Sequence, residues 1–315
     1  LIHHLTQAFG GVHYIPEKER VFIENWEVEA FRRKIALKSS HSGRLQGKIA
    51  VITGGAQGFG KGIADGLAKE GACVCIADLN LNGAEKTAQE LCNKYGILSA
   101  FAEQVDVADE NSIVNMLTNI VRKCGGIDIF ISNAGVLKAG RTPTFDKKDW
   151  DFVTNINYTG YFLCVKHAAP IMIKQNAISG KWTDIIQINS KSGLAGSNKN
   201  AAYAGSKFGT IGLTQSFALE FVENKIKVNS ICPGNYFDGP LWSDPKKGLF
   251  KQYLESGKVP GAKTIKDVKQ FYESKVPMQR GCYPEDVVKA ILYVIEQNYE
   301  TGQAIPVTGG QIMLN

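Results

Sequence analysis

A doubly wound α/β domain, with about seven parallel strands and helices on both faces, is the fold that the sequence predicts. Two observations predict it. From residue 47 onward, short apolar runs alternate with stretches of helical period. The first apolar run ends in glycines just before the first helical stretch. Strands alternating with helices imply a parallel sheet covered on both faces, with right-handed crossovers.

The elements follow in order. "KIAVITGG" is a first strand and "GKGIADGLAKEG" a first helix that closes at Gly71. "ACVCIAD" and "GAEKTAQELCNKYG" are the second strand and helix. "SAFAEQVDV", "NSIVNMLTNIVRKCG" and "IDIFISNAG" repeat the alternation, and a long helix is expected over roughly 149–176. "TDIIQINS", a helix over about 201–223, "IKVNSICPG", the helix "EDVVKAILYVIEQ" and "GQAIPVTGG" complete the set. Residues 235–281 hold no convincing strand but several aromatics, glycines and prolines. So long an insert after the sixth strand reads as a substrate lid rather than a disordered loop, because open α/β sheets bind ligands outside the carboxyl ends of their strands.

Residues 1–46 have a different character and are read as an extension and linker. "FIENWEVEAFRRKIAL" has helical spacing, and "KSSHSG" is a polar linker before a domain expected over 47–315. The chain begins at Leu1, which suggests a piece of something longer. His3, His4 and His13 lie close together but lack acidic or thiol partners, so no metal site is expected.

The 315 residues are enough for one large domain. They are 44% hydrophobic and 21% charged, with a net charge of +6 spread along the chain. That composition does not suggest a nucleic-acid partner. No apolar run approaches the ~20 residues of a membrane span, and no secretory signal is visible. The seven cysteines are scattered without a C-x-x-C pair. Cys73 and Cys75 would share one side of a strand, and the set reads as reduced core thiols of a cytoplasmic protein.

Thr53, Gly54, Gln57, Gly58, Phe59 and Gly60 form a glycine-rich turn between the first strand and the first helix. Such a turn lets the backbone approach a pyrophosphate, and the helix N-terminus supplies free N–H groups. Asp78 ends the second strand. A carboxylate there accepts hydrogen bonds from the adenosine ribose hydroxyls and repels a 2′-phosphate, so the expected cofactor is NAD. Asp106 and Val107 are placed at the adenine edge. Asn133 and Gly135 line the cofactor floor, and Pro233, ending the sixth strand, completes the cofactor set.

Tyr203 and Lys207 are four apart on a helix and therefore neighbours on one face. A free phenol, with a pKa near ~10, is a poor base at neutral pH. A nearby ammonium and a positive nicotinamide are expected to lower that value. Tyr203 could then exchange a proton with a substrate hydroxyl while hydride moves to or from the nicotinamide. Ser190 would hold the reacting oxygen, and Lys207 would also bond the nicotinamide ribose.

"TGGAQGFG", "SNAG" at 132–135, "NYTG" at 157–160, Ser190, "YAGSK" at 203–207 and "PG" at 233–234 together resemble the short-chain dehydrogenase/reductases. The likeness runs from about residue 47 to the end and implies a Rossmann-like, NAD-binding fold. It further implies that Asn157 holds a water linking Lys207 to solvent, and that the enzyme is a homotetramer buried along the helices near 149–176 and 201–223 and the tail "GGQIMLN". Ser132 departs from the family's usual asparagine.

"IIQINSKSGLAGSNKN", "KVPMQRGC" and "TGQAIPVTGGQIM" resemble bacterial members that interconvert sorbitol 6-phosphate and fructose 6-phosphate with NAD. Lys191, directly after Ser190, is the candidate for the substrate phosphate, with Asn198, Lys199, Lys246, Lys247 and Lys275 nearby in loop and lid. An alternative stands beside this one. Residues 22–37 and the linker also resemble the end of a class II aldolase domain fused ahead of a dehydrogenase that acts on lactaldehyde or a related carbonyl. A dinucleotide-sensing domain without turnover would need the glycine turn but not Ser190, Tyr203 and Lys207.

Overall fold

The structure is a computed structural model and describes residues 43–313, apart from residue 256. The helix expected within 22–37, the three histidines near the start and the last two residues of the tail lie outside the described residues. Seven strands form one parallel sheet in the order β3-β2-β1-β4-β5-β6-β7. They are β1 (Ile49–Thr53), β2 (Cys73–Asp78), β3 (Ala100–Gln104), β4 (Ile129–Ser132), β5 (Thr183–Ile188), β6 (Ile226–Pro233) and β7 (Ala304–Val307). Every neighbouring pair is parallel.

The sheet helices are α1 (Gly58–Lys69), α2 (Leu81–Tyr95), α3 (Glu110–Cys124), α4 (Lys147–Thr154), α5 (Gly160–Ser179) and α6 (Ala201–Phe221). Strand period sorts the core. Ala50 and Ile52 of β1 pack with Ile63 and Leu67 of α1, while Val51 between them packs with Ile113 and Leu117 of α3 on the other face. Leu45 is 1% exposed and belongs to the first of these cores, so the packed unit takes in residues upstream of the boundary expected at 47. All seven cysteines are free thiols, with Cys73 and Cys75 on the same side of β2.

The segment 235–281 is a helical insert. It contains α7 (Pro240–Ser243), α8 (Leu249–Glu255) and α9 (Ile265–Ser274), followed by α10 (Pro284–Glu296) of the main fold. Phe237, Trp242, Phe250, Val259, Val268 and Val276 give the insert its own small core. The Trp242 ring lies 5.0 Å from Phe237, 5.1 Å from Phe250 and 5.2 Å from Tyr272. That apolar packing offsets the ordering cost of a long excursion and explains why it is not a bare loop.

The helix expected over 149–176 is interrupted. Between α4 and α5 the chain makes a π-helical turn over Asn155–Thr159. Such turns insert an extra residue and re-aim side chains, often beside functional sites.

Candidate active site

Strand order reverses between β1 and β4, and the carboxyl ends there open the crevice in which such sheets bind ligands. The glycine turn occupies that place. Gly54 has φ +64° and Gly58 φ +58°, values that side chains disfavour. A Cβ on Gly60 would stand 2.1 Å from the Gly54 carbonyl oxygen. The N-terminus of α1 has no side-chain cap, whereas Asn80 and Asp109 cap α2 and α3. Free N–H groups on a close-approach backbone fit a pyrophosphate, so these residues fit a dinucleotide.

The other cofactor candidates gather at the same edge. Asp78 accepts from the N–H of Ala56 at 3.0 Å and of Asn80 at 2.9 Å. A carboxylate has about four acceptor positions, so the turn contacts leave two for a ribose. Asp106 accepts from the Ala108 N–H at 2.9 Å, and Val107 is buried against Gly160. The Asn133 amide donates to the carbonyls of Thr53 and Gly54, both at 3.0 Å, and so braces the glycine turn. Phe59 packs on Tyr236 at the start of the helical insert, 5.1 Å between centroids. Pro233 ends β6 in full burial.

Ser190, Tyr203 and Lys207 converge, with Tyr203 and Lys207 one turn apart on α6. Ser190 sits after β5, beside the Tyr203 phenol. Lys207 Nζ lies 5.8 Å from the Tyr203 ring centroid and donates to the Ile188 carbonyl at 2.9 Å. In the chain by itself the phenol shifts upward. Burial pushes Tyr203 up, with the Ser190 hydroxyl beside it pulling it partly back, and burial pushes Lys207 down to about 8. Loss of hydration is the largest cause of both shifts.

The Asn157 amide braces rather than reaches. Its oxygen accepts from the Val136 N–H at 2.8 Å, and its nitrogen donates to the Val136 carbonyl at 2.9 Å and to Ser206 Oγ at 3.3 Å. Gly135 stands between it and Lys207: a Cβ there would lie 3.4 Å from Asn157 Oδ1 and 3.8 Å from Lys207 Nζ.

Asn189 is a positioning residue that the sequence reading missed. It is buried, accepts from the Ser190 N–H at 2.7 Å, and donates to Gln187 Oε1, the Lys207 carbonyl and Thr210 Oγ1. It ties the strand that carries Ser190 to the helix that carries Tyr203 and Lys207. A polar residue directly before Ser190, at the end of an apolar strand, was the available signal.

The lysines proposed for a phosphate disperse. Lys275 lies over the Phe271 ring at 4.1 Å, inside the helical insert. Lys246 and Lys247 are exposed, with their N–H groups on Asp244. The Lys199 carbonyl accepts from the Gly140 N–H at 2.9 Å. Lys191 alone of the set turns to the C-terminal segment, donating to Gln311 Oε1 at 3.1 Å.

Among the described residues no helix is long and apolar enough to cross a membrane. The pattern of the family described as "short chain dehydrogenase" matches residues 48–243. Sorbitol-6-phosphate 2-dehydrogenase of Escherichia coli (strain K12) is 37% identical over 269 residues, 84% of this chain and 99% of that protein. The crystal structure of sorbitol-6-phosphate 2-dehydrogenase SrlD from Erwinia amylovora is similar at TM-score 0.77 and 38% identity, covering 84% of this chain and all of that one. An uncharacterized oxidoreductase of Bacillus subtilis (strain 168), YuxG, is 29% identical over 310 residues, 96% of this chain but 42% of its own length. With a family match over more than half the sequence, resting on the crevice that the glycine turn and Tyr203 build, the chain belongs to the short-chain dehydrogenases and is an oxidoreductase that works between alcohols and ketones.

Proposed function

We propose that this chain is an NAD-dependent dehydrogenase that interconverts sorbitol 6-phosphate and fructose 6-phosphate. One observation carries the choice of substrate. The likeness to the E. coli enzyme spans 99% of that protein, so it includes the lid and the C-terminal segment as well as the sheet. When bound, the nicotinamide dinucleotide supplies the hydride donor or acceptor. The chain supplies the proton chemistry: Tyr203 Oη takes or gives the proton at the substrate oxygen, and the Ser190 hydroxyl holds that oxygen. Lys207, anchored on the Ile188 carbonyl, brings a cation beside the phenol and would bond the ribose. Asn157, across Gly135, would hold the water that returns the proton to solvent. Asp78, with two acceptor positions open, supports NAD over NADP.

The proposal includes a homotetramer. Trp150 and Phe152 on α4, Phe162 on α5, and Phe208 and Leu219 on α6 are exposed apolar side chains, which closed oligomers commonly cover. Sedimentation at micromolar concentration checks this, and a monomer removes it.

A second reading keeps the reaction but changes the substrate. The likeness to the B. subtilis oxidoreductase covers 96% of this chain, a share that must include most of residues 1–46. That favours a dehydrogenase module of a larger aldolase fusion, acting on lactaldehyde or a related carbonyl. Steady-state kcat/KM with NAD and NADP on sorbitol 6-phosphate, sorbitol and lactaldehyde decides. The first reading expects sorbitol 6-phosphate with NAD to lead by about tenfold or more, roughly 1.4 kcal/mol per factor of ten. A lead for lactaldehyde promotes the second, and dinucleotide binding without turnover on any of them supports a sensor.

A further inference from the structure

Lys191 is a half-buried cation without a counter-charge. It directly follows Ser190, the residue that would hold the substrate oxygen. Among the described residues no carboxylate lies within ion-pair distance of it, while Lys61, Lys94, Lys138, Lys147, Lys166 and Lys269 all pair with one. Its one hydrogen bond goes to the neutral amide of Gln311, 120 residues away. Burial lowers its pKa with no acid group acting against the shift. A desolvated ammonium facing only an amide gains strongly from an anion.

A cavity adjoins the Gln311 side of this pair. Gln311 also lines a space of about 370 Å³ bounded by Gly234 and Asn235 after β6 and by Thr308 and Gly309 after β7. A Cβ at Gly234 would lie 3.5 Å from Gln311 Oε1, which places this wall directly beside the amide. The cavity's own cation, Arg280, is already neutralised by a two-pronged pair with Asp286 at 2.6 and 3.0 Å. Lys191 therefore carries the uncompensated charge at this corner.

We propose that Lys191 and Gln311 form the subsite for the phosphate group of the substrate, the ammonium supplying the charge and the amide a second, displaceable contact. The proposal rests on the sugar-alcohol phosphate reading above. A phosphomonoester dianion offers several acceptor oxygens, so it can take the Lys191 ammonium and a Gln311 Nε2–H together.

Two measurements test it. In the first, Lys191→Met and Lys191→Arg are compared with wild type on sorbitol 6-phosphate and sorbitol. Lys191→Met should raise KM for sorbitol 6-phosphate about tenfold or more and erase the preference over sorbitol, and Lys191→Arg should restore most of it. Wild-type turnover of sorbitol 6-phosphate with an unchanged KM in a folded Lys191→Met protein overturns the subsite and leaves the function standing. In the second, wild-type protein is acetylated with N-acetoxysuccinimide in inorganic phosphate or in chloride of equal ionic strength, and peptide mass spectrometry follows each lysine. Selective slowing at Lys191 in phosphate supports the subsite even if sorbitol 6-phosphate is not turned over or the variants fail to fold. Equal rates in the two salts overturn it.

Discussion

The described residues bury two lysines, one at each end of the sheet, and hold them in opposite ways. Lys227, 2% exposed, leaves β6 at the amino end, lies 3.1 Å from Asp184 and donates to the carbonyls of Val294, Ile295 and Gln297. Those carbonyls end α10, where a cation also meets the negative end of the helix dipole. Lys207, 5% exposed, reaches the carboxyl end from α6 and has one carbonyl and no carboxylate. The consequences follow from desolvation. Burial pushes Asp184 up to about 7 even with Lys227 beside it, and pushes Lys207 down to about 8. A lysine buried for structure is given a counter-charge and a partner for each donor. A lysine buried for chemistry is left underpaired, so its charge responds to what binds beside it.

The comparison breaks most sharply on Tyr203→Phe. Removing the phenolic oxygen from the carboxyl end should lower turnover about 10²–10⁴-fold and leave dinucleotide affinity and the thermal midpoint nearly unchanged. Retained turnover would assign the proton to another group. At the amino end, Lys227→Met strands the Asp184 carboxyl in the core. It should cost about 3–5 kcal/mol in urea unfolding, while kcat per folded site stays as in wild type. Adding Asp184→Leu should recover much of that loss, since an apolar pair replaces an orphaned acid. No recovery would mean that the pair does more than neutralise charge.

Lys207→Met sharpens the contrast through pH. The folded chain releases the Lys207 proton near pH 8, against 10.5 for the unperturbed group. Between those values the unfolded chain binds more protons, so wild-type stability from this group rises with pH. Its cost is fully present below pH 8 and is relieved toward pH 10.5. The stability of the variant relative to wild type should therefore fall as pH rises from 8 to 10, by on the order of 2–3 kcal/mol at most. A constant difference would show that Lys207 titrates normally.

The sequence carried the seven strands and the Tyr203–Lys207 pair because both are written in short-range spacing: apolar runs between glycines, and a four-residue step on one helix face. It carried the insert at 235–281 as an interruption of that rhythm, without its internal core around Trp242. The Asn157 turn was not legible, since a π turn and an α turn share the same local residue preferences. Asn189 was passed over because its four partners come from a strand and a helix that only packing brings together.

What the sequence determined by itself was the alternation of elements, the glycine turn at the first strand end, and the identity of the groups that could exchange a proton. These depend on neighbours a few residues apart. Only the tertiary structure decided how those groups are charged and held. Lys207 meets a carbonyl 19 residues upstream, Lys191 an amide 120 residues downstream, and Lys227 a helix end about 70 residues away. Desolvation and counter-charge belong to such long-range neighbours, which is why the direction of the Tyr203 and Lys207 shifts emerged from the fold and not from the spacing.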